Sequence, residues 1–521
     1  MAEEKTETME NKDKKEKQEK QEKAVWNSYT EAEKEALDSL NENYKDFLSS
    51  CKTERESTEE IVRQARAKGY RDLQEIIDGG ESLKPGDKVY AVCMKKAVAM
   101  FNIGTMSMEK GMAILGAHID TCRLDLKQKP LYEDGGMAYF DTHYYGGIKK
   151  YQWVTLPLAL HGVVVKKDGS VVKVVIGEKE DDPVFCVTDL LIHLSQKQME
   201  KKATVVVEGE DLDVLIGSHP LEGKEKDAVK AGILELLKAQ YGIEEDDFIS
   251  AELTMVPAGR ARDLGIDRSM VLAYGHDDRV CAYTSLAAML EVDQVERTSC
   301  CLLVDKEEIG SVGASGMQSR FFENAVAEIL HALGGYSGLS TRRCLANSYM
   351  LSSDVSSAFD SLYASAYDKK NCAYLGKGMV LMKFTGSRGK SGSNDASAEY
   401  LGRLRAVLDK HKVSFQTAEL GRVDLGGGGT IAYIMSLYGM NVIDSGVAVL
   451  SMHAPWEAVS KVDVYEAYKG YKAFCRKFNC PLNLLPACSL GKIVLFMLFF
   501  PSGKVFSEKW FYDGIFDTEI C

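Results

Sequence analysis

The sequence predicts an α/β fold in which a mixed, mostly parallel sheet is interrupted by a β-rich insertion. Three observations carry this reading. After about Phe248, strand-like apolar runs alternate with amphipathic stretches, the pattern of strands joined by helical crossovers. Between about Cys122 and Asp247 that alternation gives way to short Val- and Ile-rich segments with turn residues between them. The chain has 521 residues, more than one ordinary domain needs, so a second folded unit is expected.

Taken in order, residues 1–24 carry almost nothing to bury and read as a solvated charged tail. From Ser28 to about Ile77, apolar residues recur at helical spacing (Tyr29, Leu37, Leu40, Tyr44, Phe47, Leu48), which predicts two amphipathic helices. "KVYAVCM", "AVAMFNI" and "GMAILGAHIDT" follow as strands. Inside the insertion, "HGVVVKK" and "SVVKVVIG" flank a Lys-Asp-Gly turn and predict a hairpin. "VTDLLIHLSQKQMEK" reads as a helix within the same stretch. Beyond it, "RVCAYTSLAAMLEV" and "RFFENAVAEILHAL" are expected helices, and "SCCLLVD" and "CLANSYMLSSD" expected strands. The segment after about Lys477 is rich in Phe and Leu with no clear period.

Composition narrows the function classes. A net charge of −13 argues against nucleic acid as a partner. No apolar run reaches the roughly 18 residues of a membrane span, "IVLFMLFF" being the nearest approach. The charged N-terminus lacks the apolar core of a secretory signal, so a cytoplasmic protein is expected. The thirteen cysteines are irregularly spaced without a Cys-x-x-Cys pair, as expected of buried free thiols rather than a thiolate zinc site.

Five stretches share one design, an apolar run ending in metal-type ligands. "MAILGAHIDTC" presents His118 and Asp120, where the Asp can accept the second ring N–H of the His. "VLAYGHDDRVCAY" presents His276, Asp277, Asp278 and Arg279, "LLVDKEEIGS" the pair Glu307 and Glu308, "NSYMLSSDVSSAFD" Asp354, and "GVAVLSMHAPWEAV" His453. Each has an ordinary reading when taken alone. Acids favour a helix N-terminus, Asp354 can be an N-cap, and a single histidine is usually a satisfied core residue. Adjacent glutamates are harder to explain by packing, since they repel and resist burial. Together, at the carboxyl ends of strands in an open sheet, the five suit a divalent metal site. Their mixed nitrogen and oxygen donors fit zinc, with manganese or cobalt also possible, and suffice for two ions bridged by a carboxylate. Two other stretches carry weaker signals. "FTGSRGKSGSN" lacks the first glycine of a phosphate loop, Phe384 standing in its place. "DLGGGGTIA" reads as a loop leading into a helix, its amides free to face a substrate or simply to turn.

On "GAHIDT", "YYGGIKKYQW", "GHDDRV", "DKEEIGSVGASG", "SSDVSSAFD" and "SMHAPWE", in this order over about residues 25–475, the chain resembles the M18 family of aminopeptidases. The resemblance implies a zinc-peptidase-like catalytic domain built from 25–121 and 248–476. It implies a dimerisation role for the insertion at 122–247, and dimers that assemble into a homo-dodecamer. A C-terminal extension of unknown role would follow at 477–521. It implies that His118 and Asp354 hold one metal and Glu308 and His453 the other, with Asp277 bridging, Asp120 orienting His118, and Glu307 as general base. A family histidine that reaches a neighbouring subunit's active site corresponds to His193. The family's Gly-Thr-Thr segment corresponds to "GGGGTIA", which makes Thr430 a substrate-binding candidate. Lys383, with Arg388 and Lys390, could meet a substrate carboxylate or simply form a solvated basic loop. The departures are Thr121-Cys122 after the first His-x-Asp, where the aspartyl branch has Ser-Pro, and the altered Gly-Thr-Thr segment. The expected activity is removal of N-terminal residues from peptides. Its rivals are another dinuclear hydrolase of deacylase or carboxypeptidase type, and a silent assembly protein that keeps the metal shell.

Overall fold

The structure, a computed structural model, describes residues 25–478. The charged tail at 1–24 and the segment from 479 onward, with "IVLFMLFF", lie outside the described residues.

The N-terminal region forms helices Glu31–Ser50 and Glu54–Ala67. Each begins with a capping box, Thr30 with Glu33 and Thr53 with Glu56, which satisfies amide groups that a helix start leaves open. Leu37, Tyr44, Phe47 and Leu48 form the buried stripe of the first. A third, short helix, Leu73–Asp78, adds to the two expected here. Asp72 ends the preceding chain and caps it through the amide of Gln74.

A nine-stranded sheet forms the centre. Four of its strands run parallel and side by side: Ser299–Val304, Ala113–His118, Tyr349–Ser352 and Asn441–Gly446. Neighbours on both sides include antiparallel pairs, so the sheet is mixed and mostly parallel, as expected. Alternate residues of these strands enter different cores. Leu115 and Leu303 lie in one, Ile114 and Leu302 in the other, so both faces are covered. That is why these segments read as unbroken apolar runs rather than as alternations.

A seven-stranded antiparallel sheet is built from Arg123 to Pro257 and has its own core, including Trp153, Leu160 and Phe248. It holds the expected hairpin, Leu158–Val165 with Val171–Ile176. Its last strand, Ala251–Pro257, runs past the expected edge at 247. The stretch also carries an unexpected helix, Ala228–Tyr241. The helix expected across "VTDLLIHLSQKQMEK" does not form. Only Gln196–Met199 is helical, and His193 sits in a turn. Leu190, Leu191, Ile192 and Leu194 are exposed there, so these residues lack the one-sided burial that stabilises an amphipathic helix. Likewise "CLANSYMLSSD" is a strand only from Tyr349, because Cys344 to Ala346 close helix Gly338–Ala346.

A third sheet of five strands includes Met270–Ala273, Ala448–Leu450 and Glu457–Ser460. It corrects the expectation that all five ligand stretches end strands of one sheet. His118, the Glu307–Glu308 pair and Asp354 follow strands of the central sheet. Asp277 and His453 follow strands of the five-stranded sheet. Sequence shows where an apolar run stops but not which sheet it joins, since pairing is decided by contacts distant in the chain. Helix His276–Leu290 is buried almost throughout and packs on the strand ending at His118 and on helix Lys461–Lys477.

Candidate metal centre

Three strand ends, a helix start and a loop bring the five predicted metal ligands together with Asp120 and Glu307. His118 is the last residue of its strand and points its Nε2 into the site. Its Nδ1 lies 3.0 Å from the main-chain oxygen of Asp120 and 3.3 Å from its carboxylate. Both contacts place the ring proton on Nδ1 and leave Nε2 as the free donor atom.

Asp120 does more than the sequence suggests. Its carboxylate also accepts the main-chain N–H groups of Glu307 and Glu308, at 3.1 and 3.2 Å, and the Tyr145 hydroxyl at 2.8 Å. The central strand stops at Val304, and the glutamate pair occupies the 3-10 turn Glu307–Ile309. Gly310, with φ of +95°, closes that turn in a conformation few other residues adopt. The two side chains are thereby freed from the opposite-face rule of a strand.

Asp277 lies at the start of its helix with non-helical backbone angles. Its two carboxylate oxygens divide between two histidines: Oδ1 is 3.2 Å from His118 Nε2, and Oδ2 is 3.2 Å from His453 Nε2. On the His118 side, Asp354 Oδ1 is 4.0 Å and Glu307 Oε2 3.9 Å from Nε2. On the other side, Glu308 Oε2 is 3.7 Å from His453 Nε2. His453 turns its Nδ1 to the Gly147 carbonyl at 3.0 Å, so its Nε2 also faces inward. His118, Asp277 and Asp354 form one group that could hold a metal ion; Glu308, His453 and Cys122 form a second.

The electrostatics are those of a site crowded with acid. Burial pushes Glu308 up to about 8, with Asp277 adding to the shift. Burial also raises Glu307, and it raises Asp354 well above the carboxylate range. At Asp277 burial opposes ionisation, yet the neighbouring His118 and His453 rings outweigh it and hold the pKa low. Glu308 Oε1 is buried without a hydrogen-bond partner. A buried, unpartnered oxygen among carboxylates and two inward-facing imidazoles fits a cationic occupant, and the donor set suits zinc.

Residues without a role in the sequence reading support this arrangement. Glu457, inside the "SMHAPWE" motif, is buried and accepts the main-chain N–H of Asp277 at 3.0 Å and of His453 at 2.7 Å. Tyr145 belongs to "YYGGIKKYQW" and holds Asp120. Membership of those motifs was the one available signal for either. Gly446 closes behind Asp354, where a Cβ would lie 1.8 Å from the Asp354 carbonyl oxygen.

A cavity of about 810 Å³ opens over the site. Asp277, Glu307, Glu308, Asp354 and His453 line its floor; Phe384, Arg388, Lys390 and the run from Gly426 to Thr430 line its wall. Thr430 donates its hydroxyl to Asp444 at 2.5 Å. Lys383 is not in the lining; its Nζ lies 3.9 Å from Asp395. His193 is exposed and makes no contact with the site.

Comparisons with known proteins identify the family. The family model described as aminopeptidase I zinc metalloprotease (M18) matches residues 47–475. The chain belongs to the M18 family of aminopeptidases. It is a metalloaminopeptidase, similar to the probable M18 family aminopeptidase 1 of Clostridium acetobutylicum, with 58% identity over 86% of this chain and 97% of that one. The crystal structure of the Thermotoga maritima M18 aminopeptidase superposes with a TM-score of 0.83 at 42% identity, covering 87% of this chain and 99% of that one. The S. cerevisiae mApe1 dodecamer, at 19% identity and a TM-score of 0.69, shares the fold, covering 85% of this chain and 98% of its own. Among the described residues, ten cysteines are free thiols, and no helix is long and apolar enough to cross a membrane.

Proposed function

We propose that the M18 chain is a dinuclear aminopeptidase that removes N-terminal residues from peptides, with Glu307 as general base. The observation that carries this reading is the division of the Asp277 carboxylate, one oxygen 3.2 Å from each inward-facing histidine nitrogen. His118 and Asp354 would hold one divalent ion, Glu308 and His453 the other, and Asp277 both. Zinc is the favoured metal, with manganese or cobalt as alternatives. When bound, such ions polarise a peptide carbonyl and acidify a coordinated water.

The residues of the chain do the rest. Glu307 is the acid left without a ligand role, and burial raises its affinity for a proton. Its Oε2 takes the proton of the attacking water as oxygen bonds to the carbonyl carbon. The same carboxyl returns that proton to the amine nitrogen as the C–N bond breaks. Asp120 sets the position of both glutamates through their amides. Thr430 contributes to substrate binding from the cavity wall. Lys383 reaches a substrate only if its loop moves toward the cavity, whose wall already carries Arg388 and Lys390.

The chain assembles from dimers into a closed homo-oligomer, a dodecamer as in the fold neighbour, which restricts access to short peptides. Residues 122–247 supply the dimer contact, and His193 reaches a neighbouring active site, where it stabilises the tetrahedral oxyanion. The exposed Leu190, Leu191, Ile192 and Leu194 around His193 support a covered surface there. A cytoplasmic location and the absence of nucleic acid partners complete the proposal.

The test is Glu307→Gln, measured for metal content and for hydrolysis of aminoacyl substrates. The expected result is two ions per chain with turnover reduced by about 10²–10⁴-fold. Near wild-type turnover would remove Glu307 from the mechanism, and one ion per chain would remove the dinuclear reading.

A further inference from the structure

Cys122 stands where the sequence departs from the aspartyl branch of the family, two residues beyond Asp120. It is buried, and its Sγ lies within 4.8 Å of ligand atoms of both Glu308 and His453. A second observation points to a ligand at this spot. The Glu308 side chain is only 2% exposed, and its Oε1 has no hydrogen-bond partner. The space is also built around the sulfur. Gly146, at φ +81°, passes so close that a Cβ would lie 2.5 Å from Cys122 Sγ and 3.4 Å from Glu308 Oε2. A side chain at 146 would force the Cys122 sulfur to shift.

The two halves of the centre therefore differ. The His118 group offers only nitrogen and oxygen donors, whereas the His453 group adds a sulfur. Thiolates favour zinc, cobalt and cadmium over the harder manganese and magnesium. We propose that Cys122 is an additional metal ligand of the His453 site and makes that site selective for thiophilic divalent ions. On binding, the S–H bond breaks, a sulfur–metal bond forms, and the proton leaves to solvent. The proposal rests on the dinuclear reading above, and metal stoichiometry separates the failure of one from that of the other.

The experiment loads metal-free full-length protein with Co²⁺ and records stoichiometry and absorption together. The expected result is two cobalt ions per chain and a near-ultraviolet thiolate-to-cobalt charge-transfer band. Cys122→Ser should lose that band while keeping the visible cobalt bands and both ions. In competition, the same variant should lose about tenfold of its preference for Cd²⁺ over Mn²⁺ at one site. The native protein provides a test that needs no variant. Zinc-edge X-ray absorption should show a sulfur neighbour at about 2.3 Å on roughly half of the zinc. Absence of sulfur from that shell overturns the proposal, as does a charge-transfer band that survives in Cys122→Ser. One cobalt per chain with the band present would reject the dinuclear reading and keep the cysteine ligand.

Discussion

Glu457 controls the position of Asp277 through the main chain: one of its carboxylate oxygens accepts the Asp277 N–H at 3.0 Å. The other accepts the N–H of His453 at 2.7 Å. One buried side chain thus sets the spacing of two residues far apart in the chain, one at a helix start and one in a loop.

Glu457→Ala removes that clamp and leaves two amides, one buried and one part-buried, without acceptors. Metal affinity should fall by about 10–100-fold, the usual effect of losing a partner behind a ligand. Metal content after dialysis against graded chelator measures it. Retention equal to the native protein would mean that the loops hold their spacing without Glu457.

Asp120→Asn should lower kcat more than it lowers metal content. The amide keeps one acceptor oxygen, whereas the native carboxylate serves two main-chain amides, the Tyr145 hydroxyl and the His118 ring. A loss of about 10–100-fold in kcat with at least one ion still bound is expected. Steady-state kinetics on metal-analysed samples decide it, and unchanged kcat would count against Asp120 as the organiser of the glutamate turn.

Gly446→Ala should displace Asp354. The added Cβ would lie 1.8 Å from the Asp354 carbonyl oxygen and 3.1 Å from Cys281 Sγ, both in buried surroundings. Overpacking of this kind costs about 1–3 kcal/mol. Denaturant unfolding reads the stability, and metal analysis should show weaker binding on the His118 side. Full stability and full metal would contradict so close an approach.

His161 supplies a pH-dependent contribution away from the metal centre. It is buried, with Nδ1 3.0 Å from Glu56 and Nε2 3.0 Å from Glu178, which Lys52 meets at 2.7 Å. Burial opposes its charge, but Glu178 and Glu56 prevail and raise its pKa above 6.5. Burial likewise opposes Glu56, and the hydrogen bond from His161 prevails and lowers its pKa below 4.5. The raised histidine stabilises fully below pH 6.5 and less as pH rises through its folded pKa. The lowered carboxyl stabilises fully above pH 4.5 and less as pH falls through its folded pKa. His161→Gln should therefore cost most between these limits, on the order of 3 kcal/mol. Unfolding free energies of both proteins across pH 4–9 measure the difference, and a pH-independent cost would reject the linkage.

Much of this was readable in the residues. Unbroken apolar runs marked the central strands because both faces of that sheet are covered, and the change to short Val-rich segments marked the second sheet. The local rule failed at "VTDLLIHLSQKQMEK": the pattern was helical, but Leu190, Leu191, Ile192 and Leu194 are exposed, with no surface among the described residues to pack on. Cys122 stood out in the sequence only as a departure from the aspartyl branch; its place beside Glu308 and His453 could not be read, since both come from distant parts of the chain.

By itself, the sequence determined which residue types end which apolar runs, and so the donor chemistry of the site. Those are local properties, written in periodicity and composition. Only the tertiary structure decided that the donors come from two different sheets, that the Asp277 oxygens divide between two histidines, and that Glu457 and Gly446 hold the arrangement in place. The reason is physical: a ligand set is defined by distances of a few ångströms between residues far apart in the chain, and those distances exist only after the sheets have packed.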